Sequence, residues 1–121
     1  MTQRKYDLEE RLIEFSSGIV DVVEAMPASR AGSYIAGQLI RCGLAPALIY
    51  GEAQSAESRD DFIHKMKIGL KELKETRICL KLIVRRRMIP KMDKIFQENE
   101  ELIAIISKSI DTARKNKGAR T

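Results

Sequence analysis

Tryptophan is absent, and only three prolines, seven glycines, two cysteines and one histidine are spread over 121 residues. Each scarcity excludes something. So few prolines and glycines leave the chain with few breaks. Aromatics make up 5% of it, so a core must be built from Ile, Leu, Val, Ala and Met, which pack well between helices. Cys42 and Cys79 are far apart in sequence and form no CxxC pair, and the expectation is two reduced, buried thiols on apolar helix faces. No apolar run approaches the ~20 residues that a membrane-spanning helix needs. The opening MTQRKYDLEE has no apolar h-region, so no secretory signal is expected and the cytoplasm is the expected location. A Gly-rich phosphate loop, a nucleophile elbow and a metal-binding CxxC are also missing, and no cofactor is expected.

What is present points to a folded, helical chain. Hydrophobic residues make up 44% and charged residues 32%, a balance that argues against disorder. The length suits one domain, here residues 1–121, with an ordered core over 6–113 and a basic tail over 114–121. The net charge of +5 is unevenly spread. Residues 1–58 hold five basic and eight acidic side chains, 59–94 twelve and five, and 95–121 five and four. The positive charge sits mainly in the middle segment, and a concentration of that kind attracts polyanions.

Apolar residues recur in a rhythm of four and three, the period of an amphipathic helix. Leu8, Leu12, Phe15, Ile19, Val22 and Met26 form the first stripe, widened by Ile13, Val20 and Val23. Met26-Pro27 ends that helix, because a residue before proline is pushed out of the α region. Ser29 can cap the next. Its stripe, Ile35, Leu39, Cys42, Ile49 and Ala53, keeps phase across Pro46, which predicts one helix kinked at the proline. Ser58 with Asp61 resembles a capping box and opens a third helix of roughly 28 residues, ~42 Å long. Phe62, Met66, Gly69, Leu73, Thr76, Leu80 and Ile83 form its stripe, with Gly69 expected to allow a close helix–helix approach. Pro90 suits the first position of a fourth helix, whose stripe is Met92, Phe96, Asn99, Ile103, Ile106, Ile110 and Ala113. Asn99, polar at a core position, needs a partner there and is a candidate for fixing register. No strand pattern occurs. Four stripes with short links predict an all-α fold, an antiparallel up-and-down four-helix bundle.

The main functional candidate is a basic face on the third helix. Lys67, Lys71, Lys74, Lys81 and Arg85 share it, with Ile78 filling the gap, and Arg86 and Arg87 extend it into the following turn, ahead of Lys91 and Lys94. From Lys67 to Arg85 the row runs ~27 Å, long enough to lie along a nucleic-acid backbone. Glu72 and Glu75 at its edge would offset part of the charge. No aromatics interleave with it, which favours backbone contact over base stacking. A second polar set, Arg41, Glu52 and Glu75, is spaced to form a buried structural network. Arg59 and the lone His64 stand in an R-x4-H spacing that resembles the motif of the HEPN superfamily of helical-bundle ribonucleases. That likeness implies His64 acting on a 2′-hydroxyl and Arg59 steadying a phosphate, although in that superfamily the motif comes late in the bundle. Asp60, Asp61 and His64 share one turn but have no Glu-x-x-His counterpart, so no metal site is expected.

Residues 37–82 carry a further likeness. Gln38-Leu39-Ile40-Arg41, Ala45-Pro46, Tyr50-Gly51-Glu52-Ala53, Ser58-Arg59, Phe62 and Leu70-Lys71-Glu72-Leu73-Lys74-Glu75-Thr76 resemble, in order, the bacterial four-helix-bundle proteins encoded in intervening sequences of 23S ribosomal RNA genes. The match extends loosely over 6–112. Ile78-Cys79 stands where relatives often carry aromatics. The resemblance implies a bundle that assembles as a homopentamer and implies no enzymatic activity. Related accessory proteins of diversity-generating retroelements bind nucleic acid and a reverse transcriptase. The expected function is therefore non-enzymatic: a homo-oligomer that binds RNA or DNA through the basic face. Alternatives are a protein-interaction module and, more remotely, the R-x4-H ribonuclease.

Overall fold

The structure, a computed structural model, describes residues 7–120, with side chains described through Asn116. Four helices follow one another: α1 (Leu8–Ala25), α2 (Arg30–Gln54), α3 (Arg59–Arg85) and α4 (Asp93–Arg120). The links, 26–29, 55–58 and 86–92, are too short for anything but antiparallel neighbours. α2 packs most extensively on α3, α4 packs on α3, and α1 on α2, while the α1–α4 seam is the sparsest. The result is an all-α four-helix bundle with no strand among the described residues.

Local chemistry sets the helix ends. The Asp7 carboxylate accepts from the Glu10 N–H at 3.1 Å, the Ser29 hydroxyl from Gly32 at 3.0 Å and the Ser58 hydroxyl from Asp61 at 3.0 Å. In return, the Asp61 carboxylate accepts from the backbone of Glu57, one residue before the position a standard capping box uses. Met26 takes extended backbone angles ahead of Pro27. α2 runs unbroken through Pro46. α4 begins at Asp93, three residues after Pro90. The chain first crosses the end of the bundle, sinking Met92 into the core and leaving Pro90 exposed, so Pro90 belongs to the link. At its other end α4 reaches Arg120, and the basic tail expected over 114–121 lies partly outside the described residues.

At the centre of the core is the seam predicted for α2 and α3, Ile35, Leu39, Cys42 and Ala53 against Met66, Leu73, Thr76, Leu80 and Ile83, and Leu12, Phe15 and Ile19 of α1 and Leu102, Ile106 and Ile110 of α4 close the core around it. Burying one Leu or Ile stabilises by about 1.5–3 kcal/mol, so this seam outweighs the ion pairs on the surface. Two expectations need correction. Ile13 and Val20 are exposed, because α1 packs well only on α2 and so buries a narrower arc than a fully enclosed helix. On α4 the fully buried leucine is Leu102, with Ile103 half-buried beside it. Asn99 is fully buried and donates from Nδ2 to the Leu73 carbonyl at 3.3 Å, while its Oδ1 has no partner among the described residues. That one bond ties α4 to α3 at a fixed register.

Close approach occurs at a different glycine from the one expected. A Cβ on Gly69 would meet only Ile49, at 3.6 Å, an ordinary contact. A Cβ on Gly43 would come within 2.7 Å of the Ile19 side chain, which is fully buried on α1. At that crossing the Ser16 hydroxyl also donates to the Gly43 carbonyl, at 3.3 Å. The two glycines should therefore respond oppositely to alanine. Gly43→Ala should lower the unfolding free energy by about 1–3 kcal/mol through overpacking. Gly69→Ala should raise it by about 0.5–1 kcal/mol, because a helix interior favours alanine. Urea unfolding followed by circular dichroism checks both signs.

Candidate nucleic-acid interface

Because Met66, Gly69, Leu73, Thr76, Leu80 and Ile83 are buried, the opposite arc of α3 faces solvent. Lys67, Lys71, Lys74, Lys81 and Arg85 lie on that arc and are all exposed. At 3.6 residues per turn they fall within about 80° of one another. Exposed Ile78, Leu82 and Val84 lie among or beside them. Arg86 and Arg87 continue the positive charge past the helix end. There the Arg87 N–H bonds to the Val84 carbonyl and the Met88 N–H to that of Ile83, the paired bonds of a Schellman cap. Arg87 occupies the left-handed position of this cap, with φ 56°, where glycine is the usual residue.

None of these seven cations forms an ion pair among the described residues. The carboxylates expected to offset them are held elsewhere. Arg41, on α2, donates to Glu75 at 2.7 Å and to Glu72 at 3.2 Å, and also reaches the Gln38 side chain. The bond to Glu75 raises the pKa of the guanidinium above its ordinary value. Glu72 thus occupies the place expected of Glu52, which is exposed and outside the cluster. The network is also a surface feature, since the Arg41 side chain is 54% exposed.

The remaining cation pairs lie elsewhere on the bundle. Arg11 joins α1 to α4 through Glu98 and Glu101, each at 2.6 Å. Arg77 joins α3 to Glu100 on α4 at 3.1 Å. Within α3, Lys65 pairs with Asp61 at 2.8 Å, which lowers the pKa of that carboxyl.

Arg59 and His64, five residues apart, project about 140° from each other around α3. His64 is exposed. Arg59 lines an apolar groove of about 720 Å³ between the start of α3 and the end of α4, with Phe62 and Lys108. A second groove, about 590 Å³, lies at the opposite end of the α3–α4 seam, where Lys81 and Arg85 meet Phe96 of α4. Antiparallel packing brings the last turn of α3 beside the first turn of α4 there.

Cys42 and Cys79 are both free, Cys42 buried and Cys79 half-buried. They lie across the α2–α3 seam, where the influence of each thiol on the other lowers the pKa of Cys42 and raises that of Cys79, and the Cys42 thiol donates to the Leu39 carbonyl at 3.9 Å. Among the described residues no group of three or more His, Cys, Asp or Glu is placed to hold a metal ion. No helix among them is long and apolar enough to cross a membrane.

The model of a family described as 23S rRNA-intervening sequence protein matches residues 4–110. Among solved structures the chain is similar to a protein of unknown function from the S23 ribosomal protein family of Bacteroides thetaiotaomicron, whose crystal structure was determined at 1.70 Å. The two share 28% identity, with a TM-score of 0.79 over 84% of this chain and 96% of the other. No curated protein matches. The chain belongs to the 23S rRNA-intervening sequence protein family.

The position of Arg87 yields a stability test. A non-glycine residue in the left-handed region carries a penalty of about 1–2 kcal/mol. Arg87→Gly should therefore raise the unfolding free energy by about 1 kcal/mol, while Arg86→Gly, at a right-handed position, should not. Thermal unfolding of the two variants distinguishes them.

Proposed function

We propose that this member of the family is a non-enzymatic, oligomeric protein that binds the nucleic-acid backbone through the exposed arc of α3. One observation carries the reading: the seven cations of the arc are left without ion pairs while Arg41 holds Glu72 and Glu75. An uncompensated row ~27 Å long suits a polyanion, whose condensed counterions are released as phosphates are neutralised. Contact with phosphates suits RNA and DNA alike. Arg59 and His64, which diverge on their helix, give no support to cleavage. The absence of a membrane-spanning helix among the described residues is compatible with the cytoplasm, where nucleic acid is available.

Assembly enters on a separate observation. Tyr34 and Leu48 on α2 are 69% and 70% exposed, and Ile78 on α3 is 64% exposed. Such exposed apolar side chains are available for contact with another protein surface. The family resemblance makes a homopentamer the reading for that contact, and a reverse transcriptase or another protein is the alternative partner.

Binding of a labelled RNA, measured across a range of salt concentrations, tests the proposal. Affinity should fall steeply as salt rises. Replacing Lys71, Lys74, Lys81 and Arg85 by Gln should weaken binding and flatten the log–log slope by roughly 0.7 per lost contact on a single strand. No binding of RNA or DNA at low salt contradicts the proposal, as does an unchanged slope in the variant.

A further inference from the structure

The basic arc viewed along α3 alone contains no aromatic residue, which pointed to contact with phosphates only. Packing changes this. At its C-terminal end α3 lies beside the first turn of α4, and the groove between them, about 590 Å³, is lined by residues of both helices. We infer that this groove takes an unpaired base of a single-stranded nucleic acid whose phosphates lie on the arc. The inference rests on the function proposed above and names the ligand more narrowly.

Each wall suits a different part of a nucleotide. On α3 stand Lys81 and Arg85, two exposed cations one turn apart with no ion pair among the described residues. They face the phosphates. The floor is apolar: Met92 is buried, and Phe96 is half-buried, so that it both packs on the core and borders the groove. A partly exposed aromatic ring is a stacking surface for any base, worth about 1–3 kcal/mol per base. From α4, Asp93 and Gln97 line the opposite side. The carboxylate accepts from an exocyclic amine, and the amide both donates and accepts. Anionic Asp93 belongs to the wall away from the phosphates, so cation and anion are sorted by helix. The volume falls within the range of about 300–1,000 Å³ usual for small-molecule sites. A duplex, whose bases are already stacked and paired, has no free base to offer.

The groove at the other end of the seam is larger and also has an aromatic residue and two cations. Its cations, Arg59 and Lys108, are not part of the exposed row, however, and a strand following the row from Lys67 toward Arg87 moves away from it.

The experiment compares a short labelled RNA, the same strand with abasic nucleotides, a DNA strand of the same sequence and the corresponding duplex, all at one salt concentration. The base-bearing strands should bind roughly tenfold tighter than the abasic strand, equivalent to one stacked base. Phe96→Leu should remove that advantage and leave abasic binding unchanged, whereas Phe96→Trp should retain it. Circular dichroism establishes that both variants fold, and if Phe96→Leu does not, the abasic comparison on the unaltered protein still decides. RNA binding tighter than DNA assigns a role to the 2′-hydroxyl, and equal binding assigns the preference to the base alone; both sustain the inference. Abasic and base-bearing strands bound equally, or a duplex bound as tightly as the single strand, overturn it while leaving the backbone reading intact. No binding of any strand overturns both.

Discussion

The rotation of α3 about its own axis is the constraint on which the rest depends. Six residues from Met66 to Ile83 are buried on one side of it, and the Asn99 bond to the Leu73 carbonyl pins its register to α4. Turning α3 by a single residue, about 100°, would bring lysines into the core, where an unpaired charge is far too costly to bury. With that rotation fixed, the direction of every other side chain on the helix follows. Lys67 through Arg85 face water, Glu72 and Glu75 face α2, and Cys79 meets Cys42.

Electrostatic sorting follows from the same geometry. Arg11, Arg41 and Arg77 sit beside helix seams and find carboxylates on the neighbouring helix. The cations of the exposed arc, including Lys81 and Arg85 at the edge of the α3–α4 groove, find none among the described residues. Arg41 contributes twice: it ties α2 to α3, and it holds two acids that would otherwise lie near Lys71 and Lys74. Exposed pairs of this kind add little to stability. Their consequence is the distribution of charge over the surface, with a net positive row where the sequence composition alone suggested partial cancellation.

Much of the fold was legible because the apolar period is strong and the ends carry chemical markers. Ser29 and Ser58 cap where expected, and Pro46 stays inside a continuous helix, as the unbroken phase of the stripe indicated. What was not legible depends on neighbours. Ile13 and Val20 are exposed because α1 lacks a full set of partners, and Gly43 rather than Gly69 is the tight crossing because Ile19 happens to sit opposite. Leu102 and Ile103 are adjacent in sequence, so the period could not choose between them, but packing did. On α3 the spacing put Lys67, Lys71, Lys74, Lys81 and Arg85 on one arc, which is exposed. It missed that Glu72, not Glu52, pairs with Arg41, since that choice is made across two helices, and it missed the groove at Phe96 for the same reason.

Arg41, though outside the row, keeps the row uncompensated by holding Glu72 and Glu75. A mutant cycle on RNA affinity at fixed salt tests it directly, comparing Arg41→Ala, Glu72→Gln with Glu75→Gln, and all three changes together. The expected result is that Arg41→Ala weakens binding, that the two Gln changes alone have a much smaller effect, and that the triple variant regains most of the lost affinity, because no freed carboxylates remain to neutralise the lysines. A triple variant that binds as weakly as Arg41→Ala would contradict the claim and make Arg41 itself a contact for the ligand.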